Sequence, residues 1–103
     1  MKPPRHEHND IMNALEEHYA YIQLTATQLA EILGISESHL CRVCVANYGK
    51  TTAKLIHCFR IKKAVELRAT LGEKKFTCRM VGYVNIRTYK KALQEHCNDI
   101  VLL

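Results

Sequence analysis

The sequence predicts an all-α fold, and three observations carry that reading. Apolar residues recur at three- and four-residue intervals, Thr25-Ala-Thr-Gln28 and Ser36 supply helix starts with glycine stops behind them, and the stretch from 51 to 71 has neither Gly nor Pro. With 103 residues, 48% of them hydrophobic and 24% charged, the chain has the size and composition of one small globular body rather than a disordered tail. No room is expected for a catalytic domain beside a binding domain.

Residues 1–8, with two prolines and a His-Glu-His, are expected as a flexible arm in which His6 and His8 are incidental rather than metal-binding. From about Asn9 to Tyr21, the residues Ile11, Ala14, Leu15, His18, Tyr19 and Ile22 trace one face of an amphipathic helix, with Asn9 or Asp10 as its cap. Thr25 and Gln28 form a capping box that opens a second helix carrying Leu29, Ala30, Ile32 and Leu33 and ending at Gly34. Ser36 caps a third, from Glu37 to about Asn47, before Gly49.

From Thr51 or Thr52 to about Leu71 one long helix is the simplest reading. Gly72-Glu-Lys-Lys75 breaks it, a shorter segment runs from Phe76 to Val81, and Asn85 caps a last helix ending near Cys97; the tail Ile100-Val-Leu-Leu103 packs back or frays. The expected organisation is an arm (1–8), a first subdomain (9–50), a linker helix (51–71) and a second, shortened subdomain (72–103).

The second and third helices meet the spacing of a helix-turn-helix. That unit needs a small residue where the helices cross, here Ala30, and a turn glycine four residues on, here Gly34. It also needs apolar pins, which Leu40 and Val43 supply against Leu29 and Leu33. Ser36, Ser38, Cys41 and Arg42 then lie outward near the start of the recognition helix, the part that reaches base edges. Arg42 is the best base reader, because its rigid fork donates twice to guanine.

Charge distribution agrees. The formal charge is +5, but residues 1–41 hold two bases against six acids while residues 42–103 hold 13 bases against four acids, so a polyanion meets the second part first. The five cysteines follow a polar start without a signal peptide, which predicts reduced thiols in a cytoplasmic protein, and no apolar run approaches a membrane span.

These residues resemble the AraC/XylS family of bacterial transcription regulators. The resemblance rests on Leu29-Ala-Glu-Ile-Leu-Gly-Ile-Ser-Glu-Ser-His-Leu-Cys-Arg-Val-Cys44, on Tyr48-Gly49, on Arg60-Ile-Lys-Lys-Ala64 and on Val81-Gly-Tyr83 with Tyr89 and Leu93, and covers about residues 10–97. It implies seven helices in two homeodomain-like helix-turn-helix subdomains joined by a long linker helix, with both recognition helices in successive major-groove segments. It also implies that Ile86, Arg87, Lys90 and Lys91 face DNA while Tyr83, Tyr89 and Leu93 form the core side of the second recognition helix.

The chain departs from the family at Cys78, where a small Ala is usual, and at Arg68, where a leucine is usual. The stretch from Arg60 to Gly82 is about two residues short, and Asn98 stands near a glycine position. No space is expected for a sensory domain. The nearest analogy is the stand-alone members that bind duplex DNA as monomers and contact RNA polymerase, within the nucleoid.

Cys41-x-x-Cys44 with His57 mimics three ligands of a zinc finger, but the fourth is missing at the usual spacing, so no metal and no cofactor is expected. Without paired carboxylates, an activated nucleophile or a phosphate loop, no enzyme is expected either. The alternatives to a DNA-binding regulator are a protein-interaction module that kept the helical fold and a thiol-based redox sensor.

Overall fold

A computed structural model describes residues 7–22 and 24–96, and among them the chain is all-helical. Five α-helices, α1 (Glu7–His18), α2 (Ala26–Leu33), α3 (Glu37–Tyr48), α4 (Thr52–Leu71) and α5 (Ile86–His96), are joined by short connectors, with one 3₁₀ turn at Cys78–Val81. The expected behaviour of residues 1–6 and of the tail from Cys97 on lies outside the described residues.

Capping chemistry sets the bounds of the middle helices. Thr25 accepts from the Gln28 N–H at the head of α2, Ser36 from the His39 N–H at the head of α3, and Thr51 from the Lys54 N–H at the head of α4. Gly34 closes α2 in the left-handed region at φ 72, where its N–H and that of Ile35 return to the Glu31 and Ala30 carbonyls. The result is a tight corner of three residues between α2 and α3.

Helix α4, about 30 Å long for its 20 residues, runs through the molecule and serves two apolar clusters. Its first half gives Leu55, Ile56 and Phe59 to a core with Ile11, Leu15, Leu24, Leu29, Ala30, Leu40 and Cys44. Its second half gives Ile61 and Ala64 to a smaller core with Val81, Tyr83, Tyr89 and Ala92. The whole is elongated, 46 × 23 × 22 Å. No described helix is long and apolar enough to cross a membrane.

Three expectations are corrected. Helix α1 begins at Glu7 and ends at His18, so Asn9 and Asp10 lie inside it rather than capping it, and Ile22 is 47% exposed instead of buried. The early end of α1 and the exposure of Ile22 follow from Arg60, whose guanidinium donates to the carbonyls of Tyr19 (3.0 Å), Tyr21 (2.7 Å) and Leu24 (3.4 Å) and so turns the connector away from helical continuation.

The third correction concerns Phe76–Val81, which forms only the four-residue 3₁₀ turn, so the described residues contain five α-helices where the resemblance implies seven. Thr77 at its head makes no side-chain cap bond, and Gly82 ends it at φ 89. Glycine is required there, since a Cβ at position 82 would stand 2.7 Å from the Tyr19 carbonyl oxygen and 2.9 Å from Arg60 Nε.

Candidate nucleic-acid interface

Helix α3 is fixed on α2 from two sides. Leu40 and Cys44 are fully buried, Val43 packs half-buried beside them, and Ala30, 3% exposed, lies in the same core. Thr27 Oγ1 donates to Glu37 Oε1 at 3.0 Å, tying the first turns of the two helices together. The Glu37 carboxylate also sits favourably at the positive end of α3.

The opposite face of α3 is open. Ser38 and Arg42 are exposed, Cys41 is half-buried, and Ser36 is exposed with its hydroxyl accepting the cap hydrogen bond. This is one patch, starting at the turn and running up the first two turns of the helix. Asn47 folds back, its side-chain amide donating to the Val43 carbonyl at 2.9 Å, which steadies the last turn.

Helix α5 presents a second surface. Asn85 Oδ1 accepts from the Arg87 N–H at 2.8 Å and so heads the helix. Tyr89, Ala92 and His96 are buried, Leu93 packs beside them, and Ile86 (52% exposed), Arg87, Lys90 and Lys91 lie outward. Arg87, Lys90 and Lys91 stand three and four residues apart, so they share one stripe. Arg68, the departure from leucine, pairs with Glu73 at 2.6 Å at the end of α4.

Cys41 and Cys44 do not form a metal site with His57. Cys44 takes a hydrogen bond from Thr52 Oγ1 at 3.7 Å, and burial pushes its thiol up from the ordinary value, which works against a reactive thiolate. His57 turns to α5 and the 3₁₀ corner, with Nδ1 2.7 Å from Tyr83 Oη and its ring stacked on His96 at 5.7 Å. No group of three metal-ligating side chains occurs among the described residues.

Arg60 and the His57–Tyr83–His96 group are the features that pattern reading missed. Arg60 is 5% exposed, donates to the three connector carbonyls and lies over the Tyr83 ring at 5.4 Å. Burial raises the Tyr83 phenol to about 12, with the Arg60 charge opposing. A lone arginine between Phe59 and Ile61 was the available signal. Nothing in the periodicity says that its partners would be carbonyls some forty residues earlier. Comparison with protein-family models, with curated proteins and with solved structures finds no match to this chain.

Proposed function

We propose that the chain binds double-stranded DNA sequence-specifically, as a transcription regulator of the AraC/XylS type, with α2 and α3 acting as a helix-turn-helix. The observation that carries this reading is the placement of Arg42 and Ser38 on the open face of a helix pinned by Leu40 and Cys44 behind a left-handed glycine corner. A helix displayed in this way from a rigid base fits the major groove by its first turns.

In this reading α4 is the linker and α5 the second recognition helix, supplying Arg87, Lys90 and Lys91. The 46 Å long axis exceeds the roughly 34 Å between successive major-groove segments on one DNA face. The protein acts as a monomer on DNA, without catalysis, in the cytoplasm, with RNA polymerase as a further partner. The test is binding to a fixed duplex over a range of salt. Counterion release from about 4–8 phosphate contacts gives a steep fall of log K with log salt, and a flat line would refute the reading.

One observation favours a second reading, protein docking. Tyr21, Ile22 and Ile32 are 61%, 47% and 43% exposed and line a common depression with His18 and Leu24. Neighbouring large apolar side chains left open in this way mark interaction surfaces. Ile22→Asp separates the readings, since it leaves DNA affinity unchanged if α3 and α5 carry the function.

A further inference from the structure

The connection from α4 to α5 holds one short 3₁₀ turn, Cys78–Val81, and the space between the end of α4 and α5 is partly unfilled. A cleft of about 690 Å³ remains there, within the size range of small-molecule sites. Its walls are apolar, formed by Phe76, Ile86 and Leu93 with the Tyr89 ring, which lies 5.7 Å from that of Phe76.

Its polar groups are two cations, one carboxylate, the Thr77 and Tyr89 hydroxyls and the Cys78 thiol. Arg68 and Lys90 bring two positive charges against the single carboxylate of Glu73, which holds the guanidinium in place at 2.6 Å. The Tyr89 hydroxyl lies buried beside the Arg68 guanidinium, its nearest polar neighbour in the cleft, without a well-aligned hydrogen bond of its own. A buried hydroxyl without a well-aligned partner is uncommon in a folded protein and marks a place where an acceptor fits.

These features select a ligand. A cation is disfavoured by the net positive charge, and a neutral apolar molecule would leave the ammonium and the hydroxyl unanswered. A bare hydrated phosphate gains nothing from Phe76, Ile86 and Leu93. A carboxylate on an aromatic or aliphatic body answers the cations and the walls at once, with its oxygens toward Lys90, Arg68 and Tyr89 and its apolar part on the walls.

We propose that the cleft bordered by Phe76, Tyr89 and Lys90 is a binding site for an amphipathic organic carboxylate. Lys90 also belongs to the outward stripe of α5, so an acid held there shares a cation with DNA under the function proposed above. The site itself does not rest on that function, and its test is run without DNA so that the two fail separately.

The test is a two-dimensional NMR titration of the whole chain with phenylbutyrate, with its neutral amide and with inorganic phosphate. The acid is expected to give saturating shifts centred on residues 73–93 and to bind at least about tenfold more tightly than the amide, the ratio one good charge-assisted contact supplies. Lys90→Met and Tyr89→Phe, which keep their apolar stems, are expected to weaken the acid and leave the amide unchanged. Equal binding of acid and amide, phosphate binding as tightly as the acid, or shifts that fail to saturate or centre on α1–α3 would each overturn the proposal.

Discussion

The core around α1, α2 and α3 is closed by Ile11, Leu15, Leu29, Leu40 and Leu55, none with measurable exposure, whereas the core under α5 is built on Tyr83 and Tyr89 with His57, Phe76 and His96 at its edges. Aliphatic packing is non-directional and grows with the area removed from water. The second core has fewer aliphatic residues, Ile61, Ala64, Val81 and Ala92, and adds a few oriented contacts, the His57–Tyr83 hydrogen bond, the Cys58–His96 contact at 3.5 Å and the Arg60–Tyr83 stack. The two halves of one small chain thus hold their outward helices by different physics, and Arg60 with Gly82 is where they meet.

The largest effect is expected at that joint. Arg60→Ala leaves three connector carbonyls without their donor and is expected to cost about 3–5 kcal/mol, read as a shift of the urea midpoint. Arg60→Lys keeps the charge without the fork and recovers only part of the loss. Gly82→Ala, which drives a Cβ against the Tyr19 carbonyl from a positive φ, is expected to cost about 2–4 kcal/mol. A loss under about 1 kcal/mol at both positions would show that the halves stand without the joint.

The same contrast explains what was legible in the sequence. Local rules governed α2, α3 and α4, so Thr25, Gly34 and Ser36 announced the bounds of the first two, the start of α4 was narrowed to Thr51 or Thr52, and Leu29 and Leu40 announced inward faces. Ile22 was misplaced because a non-local partner, Arg60, decides where the α1–α2 connector points, and period alone cannot see it. The short segment before Gly82 was placed without its form, and the seven helices the resemblance implies were too many, because four residues between Thr77 and Gly82 are too few for an α-helical ladder. The outward places of Arg42, Arg87, Lys90 and Lys91 follow from helix period, while the His57–Tyr83–His96 group joins residues far apart in sequence and left no local trace.

A smaller effect is expected from the best-anchored surface. Under the proposed function, Arg42→Ala is expected to cost about 1–3 kcal/mol on the preferred site and to relax preference at one base position, as the loss of a bidentate contact from a rigid helix would. Competition between selected and random duplexes reads this directly. The fold should be unaffected, since Arg42 is exposed and the pins of α3 lie opposite.

The second core should also respond to acid. Burial lowers the His57 pKa from its ordinary value of 6.5, the Arg60 and His96 charges lower it further, and Glu95 opposes them. The unfolded chain therefore binds this proton more readily than the folded one. The contribution of neutral His57 to stability is present above pH 6.5 and is lost as pH falls below that value. Urea midpoints taken through this range should decline toward acid, with the first loss at α5 by NMR and a flatter profile in His57→Gln. A decline that begins in α1–α3 would reverse the ranking of the two cores.

The smallest expected effect separates the two surfaces by the kind of contact they make. Lys91 is exposed on α5, at the edge of a shallow depression that also touches His57 and His96, and its ammonium is a flexible point charge rather than a planar fork. Such a group meets a phosphate from many positions and reads no base. Lys91→Ala is therefore expected to weaken every duplex alike and to lower the slope of log K against log salt by about 1, leaving base preference intact. Arg42→Ala is expected to do the reverse, changing preference more than slope. If Arg42→Ala lowers affinity equally on all sequences while Lys91→Ala alters base preference, specificity resides in the aromatic half, and directional contacts rather than aliphatic packing set the precision of reading.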